Sequence, residues 1–261
     1  MLKNFMFILL VISAFSLLAT DNIQNFSYGK VNWSKKVIIV TGSGAPNLKS
    51  KSPSQARLSA ERAAKMDAYR NALEVVKGLK IKSSLTIEKA MQGDKTIATQ
   101  VQGVIRGGKE KGKKYYDDGG VDIILEIPLS GILPIKKYTS KKAVQPVSGK
   151  EKKYTSLIIN LLNFKYDKVM LPTIKNESNE LIYSVDTVNK DVSKNVIVTY
   201  FKNIDDAKKI TGETPLVINA KSLSKNEKST VIISDIDSKK FINNKIDLTF
   251  LKTGNVIFIT K

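Results

Sequence analysis

The stretch from Ser52 to Gly78, SPSQARLSAERAAKMDAYRNALEVVKG, leaves this part of the chain few ways to fold. Ser52, Pro53 and Gln55 form a capping box with proline at the first helical position, where its missing N–H costs nothing. Gly78 is placed to end the helix as the residue just past its last turn. Between them, Ala56, Ala60, Ala63, Ala64, Ala68 and Ala72 lead into Val75 and Val76 at helical spacing. Alanine at these positions lets a helix backbone lie close to a sheet. Glu61, Arg62, Lys65, Asp67, Arg70 and Glu74 are spaced for pairing one turn apart.

The segment before the helix, VIIVTGSGAP (37–46), predicts a strand over Val37–Thr41. Its glycines resemble the start of a dinucleotide-binding turn, but the pattern fails. Asn47 stands where the third glycine belongs, Pro46 intervenes, and the helix cap Ser52 lies eight residues past Gly44. A phosphate is held by the first turn of a helix, so that distance removes the grip. The glycines read instead as a flexible exit from the strand.

After the helix come an alternating run, Ile81–Ile87, and then IATQVQGVIRGG and GGVDIILEIPLSGIL. These last two read as two strands, or a helix turn and a strand, around the loop 107–120. That loop carries Lys109, Lys111, Lys113, Lys114, Tyr115, Tyr116, Asp117 and Asp118. Basic residues beside aromatics suit a polyanion or a sugar, but a solvated hairpin tip with paired charges explains them more simply.

Residues 134–153 hold two prolines, a glycine and seven lysines with almost no apolar periodicity, a linker composition. Beyond them, strands are predicted at Ser156–Leu162, Val169–Ile174, Glu180–Val185, Val196–Phe201, Leu216–Ala220, Thr230–Ser234 and Val256–Thr260. Short helices are expected at Asp205–Ile210, capped by Asn203, and at Asp237–Asn243. A hairpin turn is expected at 177–180. Asp205, Asp206, Asp235 and Asp237 lack the further ligands of a calcium loop and fit helix starts. The expected fold is α+β in two domains. The first, 30–133, packs one long helix on a small, mostly antiparallel sheet. The linker is 134–153, and 154–261 is a second, mixed α+β domain.

Residues 1–19, with Lys3 before an apolar run from Phe5 to Ala19, read as a secretory signal peptide. The run is shorter than the roughly 20 residues that span a bilayer comfortably. The chain has no cysteine and no histidine. Disulfides, thiolate nucleophiles, lipidation of a cysteine after the signal and a Ser-His-Asp triad are all ruled out. Carboxylate pairs for glycoside hydrolysis remain conceivable, but no spacing brings a pair together. The expectation is a non-enzymatic protein with no catalytic, cofactor or metal residues. The net charge of +19 comes from 43 basic and 24 acidic side chains, and only Arg57, Arg62, Arg70 and Arg106 are arginines. So few arginines, in an exported chain, argue against nucleic acid as partner. The charge suits anionic envelope partners: lipid head groups, an anionic polymer or an acidic protein.

The pattern VIIVTGSGAP, SPSQARLSAERAAKMDAYRNALEVVKGLKI, VQGVIRGG and GGVDIILEIPLSG, over Trp33–Ser130, resembles a family of exported bacterial proteins. This is the small outer-membrane lipoprotein family that includes the flagellar outer-membrane-ring, or basal-disk (FlgP-type), protein. It is also similar to the N-terminal domain of flagellar assembly protein T. Arg62, Ala63, Asp67, Ala68, Tyr69 and Arg70 carry the most specific part. Segments such as YTSLIINLLNFK and NIDDAKKITGETPLVINAKS resemble the extension of longer members. The resemblance implies a structural or assembly protein of the periplasm or outer membrane. Its partners would be envelope or flagellar proteins, or further copies of itself in a ring. The lipoprotein members carry a cysteine after the signal and this chain does not, so attachment would run through protein partners or surface charge.

Overall fold

The computed structural model describes residues 21–134, 138, 149, 152–189, 196–242 and 246–261. The signal-like segment 1–19 and most of the linker 134–153 lie outside the described residues. The N-terminal half runs β1 (Ile23–Phe26), β2 (Gly29–Asn32), β3 (Val37–Gly44), α1 (Pro53–Gly78), β4 (Lys80–Lys82), β5 (Leu85–Thr86), α2 (Ile87–Gly93), α3 (Lys95–Arg106), β6 (Lys109–Tyr115) and β7 (Val121–Pro128). The C-terminal half runs β8 (Lys152–Lys153), β9 (Ser156–Asn160), β10 (Thr173–Asn176), β11 (Leu181–Tyr183), β12 (Thr199–Phe201), α4 (Ile204–Thr211), β13 (Pro215–Asn219), β14 (Ser222–Leu223), β15 (Thr230–Ile233), α5 (Asp235–Ile242), β16 (Ile246–Asp247) and β17 (Val256–Ile259). The fold is α+β, as the sequence predicts.

In the N-terminal half five strands form one antiparallel sheet in the order β1-β2-β3-β7-β6, and α1 lies across it. The sheet begins at Ile23, seven residues before the expected start. Ala60, Ala64, Ala68 and Ala72 are buried, spaced four apart along one face of α1. They sit on β3, which runs through Gly44 and does not loosen after Thr41. This corrects the reading of the glycines. A Cβ on Gly42 would lie 2.6 Å from Ala68 Cα and closer still to the Ala68 N and Ala64 O of the helix backbone. One on Gly44 would lie 2.5 Å from Ala64 N. The two glycines and the alanine face are one device, which brings helix and strand backbones into contact.

β2 is shorter than β3, so the far end of β3 has no strand beside it on that edge. The helix supplies the missing partners: Ser43 N–H donates to Asp67 Oδ2 at 3.0 Å, and Asn71 Nδ2 donates to Thr41 O at 2.8 Å.

The start of α1 is as expected, with Ser52 Oγ accepting from Gln55 N–H at 3.3 Å. The other half of the box differs: Gln55 Oε1 accepts from Lys51 N–H rather than from the cap residue. Ser52→Ala should cost about 1 kcal/mol, read as a lowered urea midpoint with unchanged slope. The end of α1 also differs. Gly78 is its last helical residue and has no left-handed backbone, and the cap is the extended Leu79.

Of the two readings of the segment 95–106, strand or helix turn, the structure has the helix: α3 runs for three turns. Asp94 caps it, accepting from Thr96 N–H at 2.8 Å, and Ile97, Val101 and Ile105 are buried four apart. Half of the loop 107–120 is strand: β6 occupies Lys109–Tyr115, and residues 116–120 make the turn.

In the C-terminal half β12, β17, β9 and β13 form an all-parallel sheet, and β11, β10, β15 and β14 a mixed one. The parallel strands are short apolar runs because both of their faces are covered. Ile158, Ile257 and Ile259 pack with Ala207 of α4 on one face, while Leu157, Ile159, Val256 and Phe258 enter the main core on the other. Asn203 caps α4, and the turn at 177–180 joins β10 to β11 with Asn179 at φ 64°, both as expected.

The main core is continuous across the halves. Trp33 is buried edge-on against Tyr200, with ring centroids 5.3 Å apart, and Tyr200 meets Phe258 at 5.8 Å. Asp21 bridges Phe201, and Asn22 Nδ2 donates to Thr260 Oγ1 at 3.0 Å. Ser34 Oγ donates to Tyr200 O at 2.8 Å. On the other flank Met170 N–H and Leu171 N–H donate to Lys80 O and Ile81 O. Burial pushes the Tyr200 and Tyr183 phenols far above their ordinary range. Both hydroxyls donate to backbone carbonyls, Tyr200 to Val169 O and Tyr183 to Ile197 O.

Candidate functional site

Outside the cavity at Lys36, four places among the described residues hold groups with chemical potential. At the hairpin the charges are largely paired with one another. Lys113 contacts Glu61 at 3.0 Å and Glu110 at 3.3 Å, and Lys111 contacts Glu126 at 3.0 Å. Hydrogen bonds from Lys113, and then from Tyr115, hold the Glu61 carboxyl below its usual range. Arg57 lies over the Tyr115 ring, and Lys114 lies over Tyr116 at 4.4 Å. Tyr116 Oη donates to Asp122, which also accepts from Ser43 Oγ. Asp117 and Asp118 sit in the turn, where Asp118 Oδ1 accepts from Gly120 N–H.

The acidic clusters serve helix starts. Asp205 and Asp206 occupy the first turn of α4, and Asp206 is buried between Asn203 and Lys209, the latter at 2.7 Å. Asp235 and Asp237 begin α5. Asp237 accepts from Ser234 Oγ and pairs with Lys240 at 2.7 Å. No group of three acidic side chains able to hold a metal occurs among the described residues.

A cavity of about 640 Å³ lies where the halves meet, with Lys82 and Lys175 facing Asp186 and Glu227 among its lining. Ser83 Oγ and Ser229 Oγ both donate to Glu227 Oε1, so this carboxylate is already engaged.

The fourth place is the outer surface of the helical layer, which the sequence reading did not single out. Met66, Tyr69 and Leu73 of α1 and Ile105 of α3 line a groove of about 220 Å³, mostly apolar, with Arg70 and Arg106 at its rim. Met66 is 58 % exposed, and Leu58, two turns earlier, is 54 % exposed. All four arginines of a chain otherwise rich in lysine stand on α1 or the last turn of α3. Arg62 and Arg106 make no ion pair among the described residues. Arg70 reaches Asp67 at 3.4 Å, the arginine open to solvent and the carboxylate partly buried. The signal was present in the sequence. Met66, Tyr69 and Leu73 recur at three and four residues, opposite the alanine face.

No helix among the described residues is long and apolar enough to cross a membrane. No match is found among curated proteins. Residues 156–261 match a family model described as the second domain of Treponema pallidum Tp0624. The match begins at the first residue of β9 and runs to Lys261, so it sets the C-terminal half apart as one of two domains and is the part of the chain similar to that protein.

Proposed function

We propose that this chain is an exported, non-enzymatic envelope protein, a structural or assembly component that acts through protein–protein contacts made at the groove between α1 and α3. The observation that carries this reading is the arginine-rimmed apolar groove. Arginine beside an exposed methionine and a half-buried tyrosine is the composition of binding surfaces, because guanidinium stacks and forks where lysine only points. The occupant that fits is an acidic amphipathic segment of another envelope protein. Its apolar side would fill the space among Met66, Tyr69, Leu73 and Ile105, and its carboxylates would meet Arg62, Arg70 and Arg106.

Export rests on the signal-like residues 1–19, and the resemblance to flagellar ring and assembly proteins supports a partner at the motor or outer membrane. The alternative is a basic module for an anionic polymer or lipid surface, working through 107–120. It is less well supported, since Lys111 and Lys113 already have carboxylate partners.

A photoreactive residue replacing Met66 in living cells tests the proposal. The expected adduct maps to an acidic, amphipathic segment of one envelope protein. The triple variant Arg62→Glu, Arg70→Glu, Arg106→Glu should reduce its yield at least tenfold, since interfacial arginines commonly carry about 2 kcal/mol or more. Crosslinks that scatter over unrelated proteins, or survive charge reversal, would count against the groove. A deletion strain with normal motility and an intact motor would remove the flagellar assignment.

A further inference from the structure

A second site lies at the joint between the two halves, away from the groove. Lys36 ends the turn between β2 and β3 and has φ 56°, a left-handed backbone that side chains other than glycine and asparagine rarely adopt. That turn is packed: Leu129 N–H donates to Lys36 O, and Ser34 Oγ is bonded to Tyr200 O. The strained backbone carries the Lys36 side chain into a cavity of about 260 Å³ at the starting edge of the parallel sheet. Ser156 and Thr199 line it from the first residues of β9 and β12, Thr253 and Asn255 from the turn before β17, and Thr211 from the end of α4.

The polar inventory of this cavity is one-sided. Among the described residues it holds one ammonium, several hydroxyls and an amide, and no carboxylate. Lys36 Nζ donates to Val196 O at 3.1 Å and has no acidic partner among the described residues. Ser156 is 1 % exposed, and its Oγ is buried with no hydrogen-bond partner. A buried hydroxyl without a partner is rare, and a half-buried cation without a counter-charge is unfavourable. An anion placed between them removes both costs. A cavity of this size admits only a small molecule or the end of a chain, and a single ammonium balances a single negative charge.

We propose that this cavity binds a small monocarboxylate, one oxygen paired with the Lys36 ammonium and the other accepting from Ser156 Oγ–H. The carboxylate belongs either to a free organic acid or to the C-terminus of a peptide. This proposal is independent of the groove and stands or falls separately.

Burial lowers the Lys36 amine from its ordinary value to about 8. No other titratable side chain among the described residues lines the cavity, so binding should be full near pH 6.5 and fade as pH rises through and beyond about 8. The test is titration of the protein from Asp21 to Lys261 with acetate, with a tetrapeptide bearing a free C-terminus, with the same peptide amidated, and with inorganic phosphate. Amide NMR shifts at Ser156, Thr199 and Asn255 and the melting temperature are followed. Saturable shifts are expected with acetate or the free peptide and not with the amide. Saturation by acetate assigns a free acid, and saturation by the peptide alone assigns a chain end. Ser156→Ala, a small change that leaves the strand intact, should weaken binding at least fivefold. Lys36→Met should abolish it, with Trp33 fluorescence reporting that the joint is still folded. The proposal is overturned by saturation with phosphate alone, by no saturable shift, by undiminished binding in Lys36→Met, or by binding unaffected between pH 6.5 and pH 10.

Discussion

Replacing Gly42 by alanine is expected to remove about 3–5 kcal/mol of stability, more than the 1–3 kcal/mol typical of an overfilled core. The reason is what the new methyl group meets. Side chains in a core can turn aside, whereas the atoms around Gly42 are the backbone N and Cα of Ala68 and the carbonyl of Ala64. The helix must lift off the sheet to make room, and lifting opens the contacts of Ala60, Ala64, Ala68 and Ala72 together. The result is measured in a urea melt followed by far-ultraviolet circular dichroism. Gly103→Ala is the control. That glycine lies within α3 with no atom within 4 Å of its would-be Cβ. The change should raise stability by about 0.5–1 kcal/mol, the ordinary gain of alanine over glycine inside a helix. Equal midpoints for Gly42→Ala and the unaltered protein would show that the close approach of α1 to β3 is not what holds this half together.

Trp33→Ala should have an effect of similar size, about 3–5 kcal/mol, as expected when a fully buried large aromatic is cut back to a methyl group. For a domain pair of this size each kcal/mol shifts the melting temperature by roughly 2–4 °C, so a fall of about 10 °C is expected. The consequence should not stop at the first half. Trp33 leans on Tyr200, and Tyr200 on Phe258 in the centre of the parallel sheet. Trp33 Nε1 also donates to Gln24, which holds β1 in place. Unaltered protein should therefore melt in one transition, the fluorescence of its single tryptophan changing together with the backbone signal. In Trp33→Ala the whole backbone signal should move to the lower temperature. A variant in which the C-terminal half keeps the original melting temperature would mean that the two halves are energetically separate, whatever their shared core.

Much of this architecture is legible in local pattern. α1 could be read from a serine cap, a proline at the first turn and alanines four apart, all interactions within a few residues. The caps of α4 and of the turn at 177–180 were legible for the same reason. α3 was legible only as one of two readings, because Val101, Val104 and Ile105 are β-branched and Gly103 interrupts them, so the run reads as a strand or as a helix turn. Its burial at Ile97, Val101 and Ile105, behind the Asp94 cap, is the helical period that decides. β6 was hidden by its charges. Lys109, Glu110, Lys111, Lys113 and Lys114 carry no alternating apolar signal, since β6 is an edge strand with exposed side chains. Its identity comes from pairing with the strongly alternating β7. Charge on an edge also discourages further strands from adding there, so the charges of 107–120 serve in good part as a guarded sheet edge.

The sequence by itself determined the chemistry that is ruled out and the helix that organises the first half. A chain without cysteine or histidine lacks those groups in any fold, and capping and helical periodicity act over a few residues. Tertiary structure alone decided where distant residues meet. Gly42 and Gly44 looked like a loosened strand end until Ala60, Ala64 and Ala68 were laid against them. Trp33 found Tyr200 across more than 160 residues of chain, and Lys36 came to line one cavity with Ser156. Such contacts are set by how whole elements close against one another. Packing and desolvation act between surfaces, and surfaces exist only once the chain has folded.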